Sequence, residues 1–211
     1  MTKKRVAVLI SGRGSNMAAL IEAAKAEDYP AEITLVLSNR PDALGLERAR
    51  EAAIPTAVVD HRPFGGDREA FERALDAELT ARRIELVCLA GFMRLFTPWF
   101  VARWSGRLLN VHPALLPQFK GLDTHRRALE AGVKRHGATV HFVVPETDAG
   151  PIIVQDSVAV LDGDTEATLV ARVLEVEHRI YPQALRLVAA GQVKFAPANQ
   201  PMNAAGVTRT K

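Results

Sequence analysis

Asn110 and His112 stand two residues apart in LLNVHPALLP, at the carboxyl end of an apolar run. In an extended chain, residues i and i+2 point to one side, so the amide and the imidazole share a face. Pro113 keeps His112 out of helical geometry. An amide N–H and an imidazolium N–H aimed at one point are what a developing oxyanion needs. Asp148, in the turn PETDAGPII, supplies an acid that can fix the ring's tautomer and favour its charged form. Glu146, in the same turn, is the competing acid. Taken singly, these residues also read as a buried histidine, a turn amide and a turn acid.

A second cluster is SGRGSN, after the first apolar run. Gly12 and Gly14 let the backbone turn tightly, and the helix that follows offers N–H groups and a positive dipole end to an anion. Ser15 and Asn16 add side-chain donors. The dinucleotide fingerprint fails at Met17, and the second strand ends in Ser38-Asn39 rather than in a ribose-binding acid. GVKRHGAT has Ala138 where a phosphate-loop lysine belongs and precedes a strand. The loop therefore suits a monophosphate, or else is a structural turn.

Other chemistries lack their residues. G-x-S-x-G and H-E-x-x-H are missing, cysteines are not paired, and LDGDTE is too short for a calcium loop. His125, His136 and His141 follow no ligand spacing and read as surface or packing residues. Cys88, the one cysteine, lies in the apolar run IELVCLAGF and reads as core.

These clusters need a scaffold. Strands are expected over 5–10, 33–38, 56–60, 85–90 and 107–111. Helices are expected over 15–27, 42–52, 67–83 and 124–132, with a helical turn between Pro98 and Trp104. Segments 138–144 and 151–160 follow one another with only a turn between them, which implies antiparallel pairing. A long helix capped by Asp164 runs to about residue 190, kinked at Pro182. The pattern is α/β: a mostly parallel twisted sheet with helices on both faces and an antiparallel addition near the C-terminal part. Ligands of such sheets bind beyond the strands' carboxyl ends, where SGRGSN, NVHP and PETDAGP all fall.

The 211 residues suffice for one domain, 1–195, followed by an aperiodic tail, 196–211, expected to fray. Hydrophobic residues make up 48% and charged residues 24%, an ordinary globular balance. The net charge is +3, and pairs such as Arg82-Arg83 and Arg126-Arg127 are scattered, so neither nucleic acid nor membrane is an expected partner. The basic start MTKKRVAVLI is too short for a signal or membrane segment, and the expected location is cytoplasmic.

VLISGRGSN, LAGFMR, LLNVHPALLP, HGATVHFV, DAGPII and EHRIYP occur in this order from about residue 5 to 195. Together they resemble the folate-dependent glycinamide ribonucleotide transformylases. The Asn–His–Asp set alone would indicate only the wider group that uses 10-formyltetrahydrofolate. The resemblance implies a Rossmann-like formyltransferase fold that passes a formyl group from 10-formyltetrahydrofolate to the amine of glycinamide ribonucleotide. It implies no metal, and a monomer or homodimer. It makes Asn110, His112 and Asp148 catalytic. It gives Gly14, Ser15 and Asn16 to the phosphate and Glu177 to the ribose. It gives Arg68, Met93, Arg94, Leu95, Phe96, Val144, Pro145, Glu146 and Thr147, the last running into Asp148, to the folate, with Arg68 and Arg94 suited to its glutamate. Lys120, Asp123 and Leu174 depart from the usual pattern of proline, histidine and a polar residue. Three rivals remain. Methionyl-tRNA formyltransferase needs a C-terminal RNA-binding domain, formyltetrahydrofolate hydrolase an N-terminal regulatory one, and a non-catalytic phosphate-binding module would have lost part of the polar set.

Overall fold

The computed structural model describes residues 2–196, so the expected tail falls almost wholly outside the described residues. Seven strands form one sheet: β1 (Lys4–Ile10), β2 (Ala31–Ser38), β3 (Thr56–Val58), β4 (Leu86–Leu89), β5 (Leu108–His112), β6 (Arg135–Phe142) and β7 (Ile152–Ala159). Their order is β3-β2-β1-β4-β5-β6-β7. The first five are parallel, and β6 and β7 are added antiparallel. The connectivity reverses beside β1, so the carboxyl ends of β1 and β4 flank the crevice where such sheets bind ligands.

Six α-helices cover the faces: α1 (Ser15–Ala24), α2 (Gly45–Glu51), α3 (Arg68–Ala81), α4 (Pro98–Arg103), α5 (Thr124–Glu130) and α6 (Glu166–Ala189). Side-chain alternation in β1 splits the core in two. Val6, Val8 and Ile10 pack with α1 and α6 through Met17, Leu20, Val173 and Ile180. Ala7 and Leu9 pack on the other face with Phe71, Leu75 and Leu79 of α3 and Phe100 of α4. Tyr181 locks α6 over the sheet, its hydroxyl 3.0 and 3.2 Å from the carbonyls of Leu89 and Leu109. Cys88 is fully buried as expected, and burial pushes its thiol up to about 12, so it packs rather than reacts.

The boundaries differ in three instructive places. β6 begins at Arg135, before the apolar pattern does, because Arg135, His136 and Gly137 pair with Ala159, Val158 and Ser157. α6 is capped by Thr165, in a reciprocal box with Thr168. Asp164 is not the cap: it accepts from the Leu161 N–H and from Arg172, closing the preceding turn. Pro182 lies inside α6, and the helix runs through it unbroken.

Candidate active site

β5 carries Asn110 and His112 to the rim of the sheet on one face. The turn between β6 and β7 brings Asp148 back across them. Asp148 adopts φ 49°, a left-handed conformation that aspartate tolerates better than most side chains. Its Oδ2 lies 3.4 Å from His112 Nδ1 and accepts the Gly121 N–H at 2.8 Å. Both partners are largely buried, with side-chain exposures of 6% and 12%, so their attraction is weakly screened. Glu146 is exposed and makes no ion pair among the described residues. Asp148, not Glu146, is therefore the acid beside the ring.

His112 is not free at its other nitrogen: Nε2 donates to the Phe119 carbonyl at 2.9 Å. That carbonyl belongs to the tight segment after β5, where Phe119, Gly121 and Asp123 all have positive φ. Lys120 and Asp123 are exposed there. Lys120 offers its carbonyl to Arg127, and Asp123 pairs with Arg126.

A fourth residue enters the site that the sequence did not single out. His141 faces Asn110 in the antiparallel register of β5 and β6. Its Nδ1 donates to the Phe142 carbonyl at 2.9 Å, so Nε2 is left as an acceptor, 3.3 Å from Asn110 Nδ2. Burial, ahead of its hydrogen bond to Phe142 and the Asp148 charge, pulls His141 below the usual imidazole range. A neutral His141 thus aims the Asn110 amide, and its Nε2 is 3.7 Å from Asp148 Oδ1. His141 is buried, as a packing role implies, and the strand register adds a pairing with Asn110 that the sequence pattern does not reveal. His136 does pack: it is fully buried, with both ring nitrogens unpartnered among the described residues and its ring edge-on to His125 and Phe119.

The glycine loop lies at the end of β1. Gly14 caps α1 at φ 70°, and its carbonyl accepts the Ala18 N–H at 3.0 Å. A Cβ at Gly45 of α2 would come 3.1 Å from the Gly12 carbonyl, so α2 packs directly on the loop. Asn16 donates from Nδ2 to Glu177 Oε2 at 2.5 Å, joining residues 161 apart, while its Oδ1 is buried without a partner among the described residues. Burial raises the Glu177 carboxyl above its usual range, and the Asn16 bond opposes that. A cavity of about 410 Å³ opens beside the loop, lined by Gly14, Ser15 and Asn16 and by Arg13, Arg40, Met93 and Arg94.

The residues expected to meet folate divide. Met93 and Leu95 are exposed apolar side chains on the segment after β4, and Arg94 lines the cavity. Phe96 instead turns inward, stacked on Phe92 and Phe100 at 5.5 and 4.4 Å. Val144 is half-buried, and Pro145, Glu146 and Thr147 are exposed on the turn leading to Asp148. Arg68 opens α3 in solvent, and neither its guanidinium nor that of Arg94 is hydrogen-bonded among the described residues. Leu174 is half-buried on α6.

The family described as Formyl transferase matches residues 4–185. The chain belongs to this family. It is 48% identical over 190 residues to the phosphoribosylglycinamide formyltransferase of Escherichia coli (strain K12), covering 90% of this chain and 89% of that one. It is 51% identical to the trifunctional purine biosynthetic protein adenosine-3 of Gallus gallus, over 94% of this chain but 20% of that protein. The chain thus spans about a fifth of that trifunctional relative. A solved phosphoribosylglycinamide formyltransferase from Brucella melitensis superposes with a TM-score of 0.86 at 51% identity, covering 92% of this chain and all of that one. In this fold the glycine loop follows β1, and Asn110 and His112 lie on β5, two strands away in the sheet.

Proposed function

We propose that this formyltransferase moves the formyl group of 10-formyltetrahydrofolate to the amine of glycinamide ribonucleotide, giving N-formylglycinamide ribonucleotide in de novo purine biosynthesis. The observation that carries this reading is the convergence of Asn110, His112 and Asp148, with Asp148 Oδ2 3.4 Å from His112 Nδ1 and His141 bridging Asn110 to the same carboxylate. The loop N–H groups of α1 take the phosphate, and Glu177 accepts from the ribose hydroxyls. Asn16, already bonded to Glu177, ties the two contacts together.

The neutral amine attacks the formyl carbon. A new C–N bond forms, and the carbonyl oxygen becomes an oxyanion. Asn110 donates to it from the amide that His141 aims. His112 donates from Nε2, so the oxyanion takes the place now held by the Phe119 carbonyl. Asp148, facing Nδ1, orients the ring and stabilises the positive charge on it. The intermediate collapses by breaking the bond to folate N10, and the proton lost by the amine passes through water beside Asp148 to that nitrogen. One such donor contributes on the order of 10²–10³ in rate.

Mixing the purified protein with glycinamide ribonucleotide and 10-formyltetrahydrofolate tests this. Folate absorbance should change only with both present, one formylated ribonucleotide appearing per folate consumed. Formate release without the ribonucleotide would instead make the protein a hydrolase and overturn the reading.

A further inference from the structure

Glu72 lies in the middle of α3 with 1% exposure. A buried carboxylate is costly unless it is hydrogen-bonded. Among the described residues its donors come from Thr97 alone: the backbone N–H reaches Oε1 at 2.6 Å, and the hydroxyl donates to Oε2. Thr97 closes the irregular segment 93–97 immediately before α4.

The other end of that segment is also tied. The Met93 N–H donates to the Ser11 hydroxyl at 2.8 Å, and that hydroxyl donates to Asn39 Oδ1 at 2.6 Å. Between the two ties the Phe96 ring is sunk among Phe92 and Phe100. Met93 and Leu95 project outward, 72% and 65% exposed. The backbone groups of residues 94–96 make no hydrogen bond among the described residues. The segment is therefore fixed in position yet presents unpartnered backbone donors and acceptors beside apolar side chains. That combination suits a flat, hydrogen-bonding heterocycle.

We propose that Glu72 is a positioning residue for the cosubstrate: it holds segment 93–97 in the shape that meets the folate ring. This rests on the formyl-folate reading above. The same helix supplies an internal comparison. Asp76, one turn on, accepts from Trp104 Nε1 at 3.0 Å and pairs with Arg103 at 3.2 Å. It fastens the far end of α4, away from the segment.

Three variants test the proposal: Glu72→Ala, Glu72→Gln and Asp76→Asn. The measurements are the KM for each substrate, kcat, and amide hydrogen exchange of residues 93–97. Glu72→Ala should speed that exchange and raise the KM for 10-formyltetrahydrofolate about tenfold, leaving the ribonucleotide KM within about twofold. Glu72→Gln should recover most of the loss, since an amide can accept the Thr97 N–H and donate to its hydroxyl. Asp76→Asn should lower the melting temperature without moving the folate KM. Unchanged exchange in Glu72→Ala overturns the proposal, as does faster exchange with an unchanged folate KM, or an equal rise in both KM values. If the unsubstituted protein shows no saturable dependence on 10-formyltetrahydrofolate, the cosubstrate reading itself fails, a result that no Glu72 variant is needed to see.

Discussion

The Asp148 carboxylate stands between two imidazoles with different duties. His112 meets it through Nδ1, while His141 turns its Nδ1 proton to the Phe142 carbonyl and stays neutral. In the proposed mechanism the first ring donates to the oxyanion, and the second orients Asn110. Asp148→Asn removes the charge and keeps the backbone, because asparagine also tolerates the left-handed conformation at this position. The variant should fold with a melting temperature within about 2 °C of the parent and lose on the order of 10²–10⁴ in kcat. Steady-state rates paired with a thermal melt decide it, and a kcat within tenfold of the parent removes Asp148 from the mechanism. At this scale the sequence was informative where polarity interrupts an apolar strand: Asn110 and His112 stand out against LL and V. It was silent on His141, which lies in an equally apolar stretch and gains its role only from a cross-strand partner 31 residues away.

Among the elements, the turn between β6 and β7 sets where Asp148 goes, and its tightness is measurable at Gly150. A Cβ there would lie 1.7 Å from the Phe142 carbonyl oxygen, a backbone atom that cannot move aside cheaply. The same Phe142 donates its N–H to the Pro151 carbonyl at 2.9 Å, so the turn is pinned on both sides of the glycine. Gly150→Ala should cost about 1–3 kcal/mol of stability and, by shifting Asp148, lower kcat on the order of 10². Gly66→Ala is the fair comparison: a Cβ there meets nothing within 4 Å, and it should be neutral on both counts. Urea midpoints and kcat for the two variants check this, and a Gly150→Ala protein as active as Gly66→Ala would show that the turn can give. Most elements were legible because strands alternating with amphipathic helices leave few architectures. The start of β6 was not, since Arg135, His136 and Gly137 look like a loop until β7 supplies their partners. The resemblance gives Phe96 to the folate, and the sequence does not show that its ring stacks on Phe92 and Phe100, leaving the backbone as the part that faces outward.

Across the whole molecule, α1 and α6, distant in sequence, both pack on one face of the sheet, and their polar meeting point is Asn16 with Glu177. That meeting point costs stability. Burial raises the Glu177 carboxyl in the folded protein, so folding favours its protonated form. A group whose folded value lies above its unfolded one contributes stability below the unfolded value, near 4.5, and that contribution is lost as pH rises through the folded value. Above that window the folded chain holds a buried, ionised acid, which the proposed reading pairs with the ribose of the ribonucleotide. Glu177→Gln keeps an acceptor for Asn16 and removes the ionisation. The variant should therefore melt at nearly the parental temperature below about pH 4.5 and above it near neutrality, the gap opening as pH rises. Carboxylates held low by arginines, such as Asp60 at about 2, slope the other way but are common to both proteins and cancel in the difference. The same substitution should raise the ribonucleotide KM while leaving that for the formyl-folate unchanged. Melts at intervals from pH 4 to 8, with KM measured at neutrality, test both halves. A melting difference that stays constant across the range would mean that Glu177 does not titrate with folding, and that this buried acid carries no stability cost.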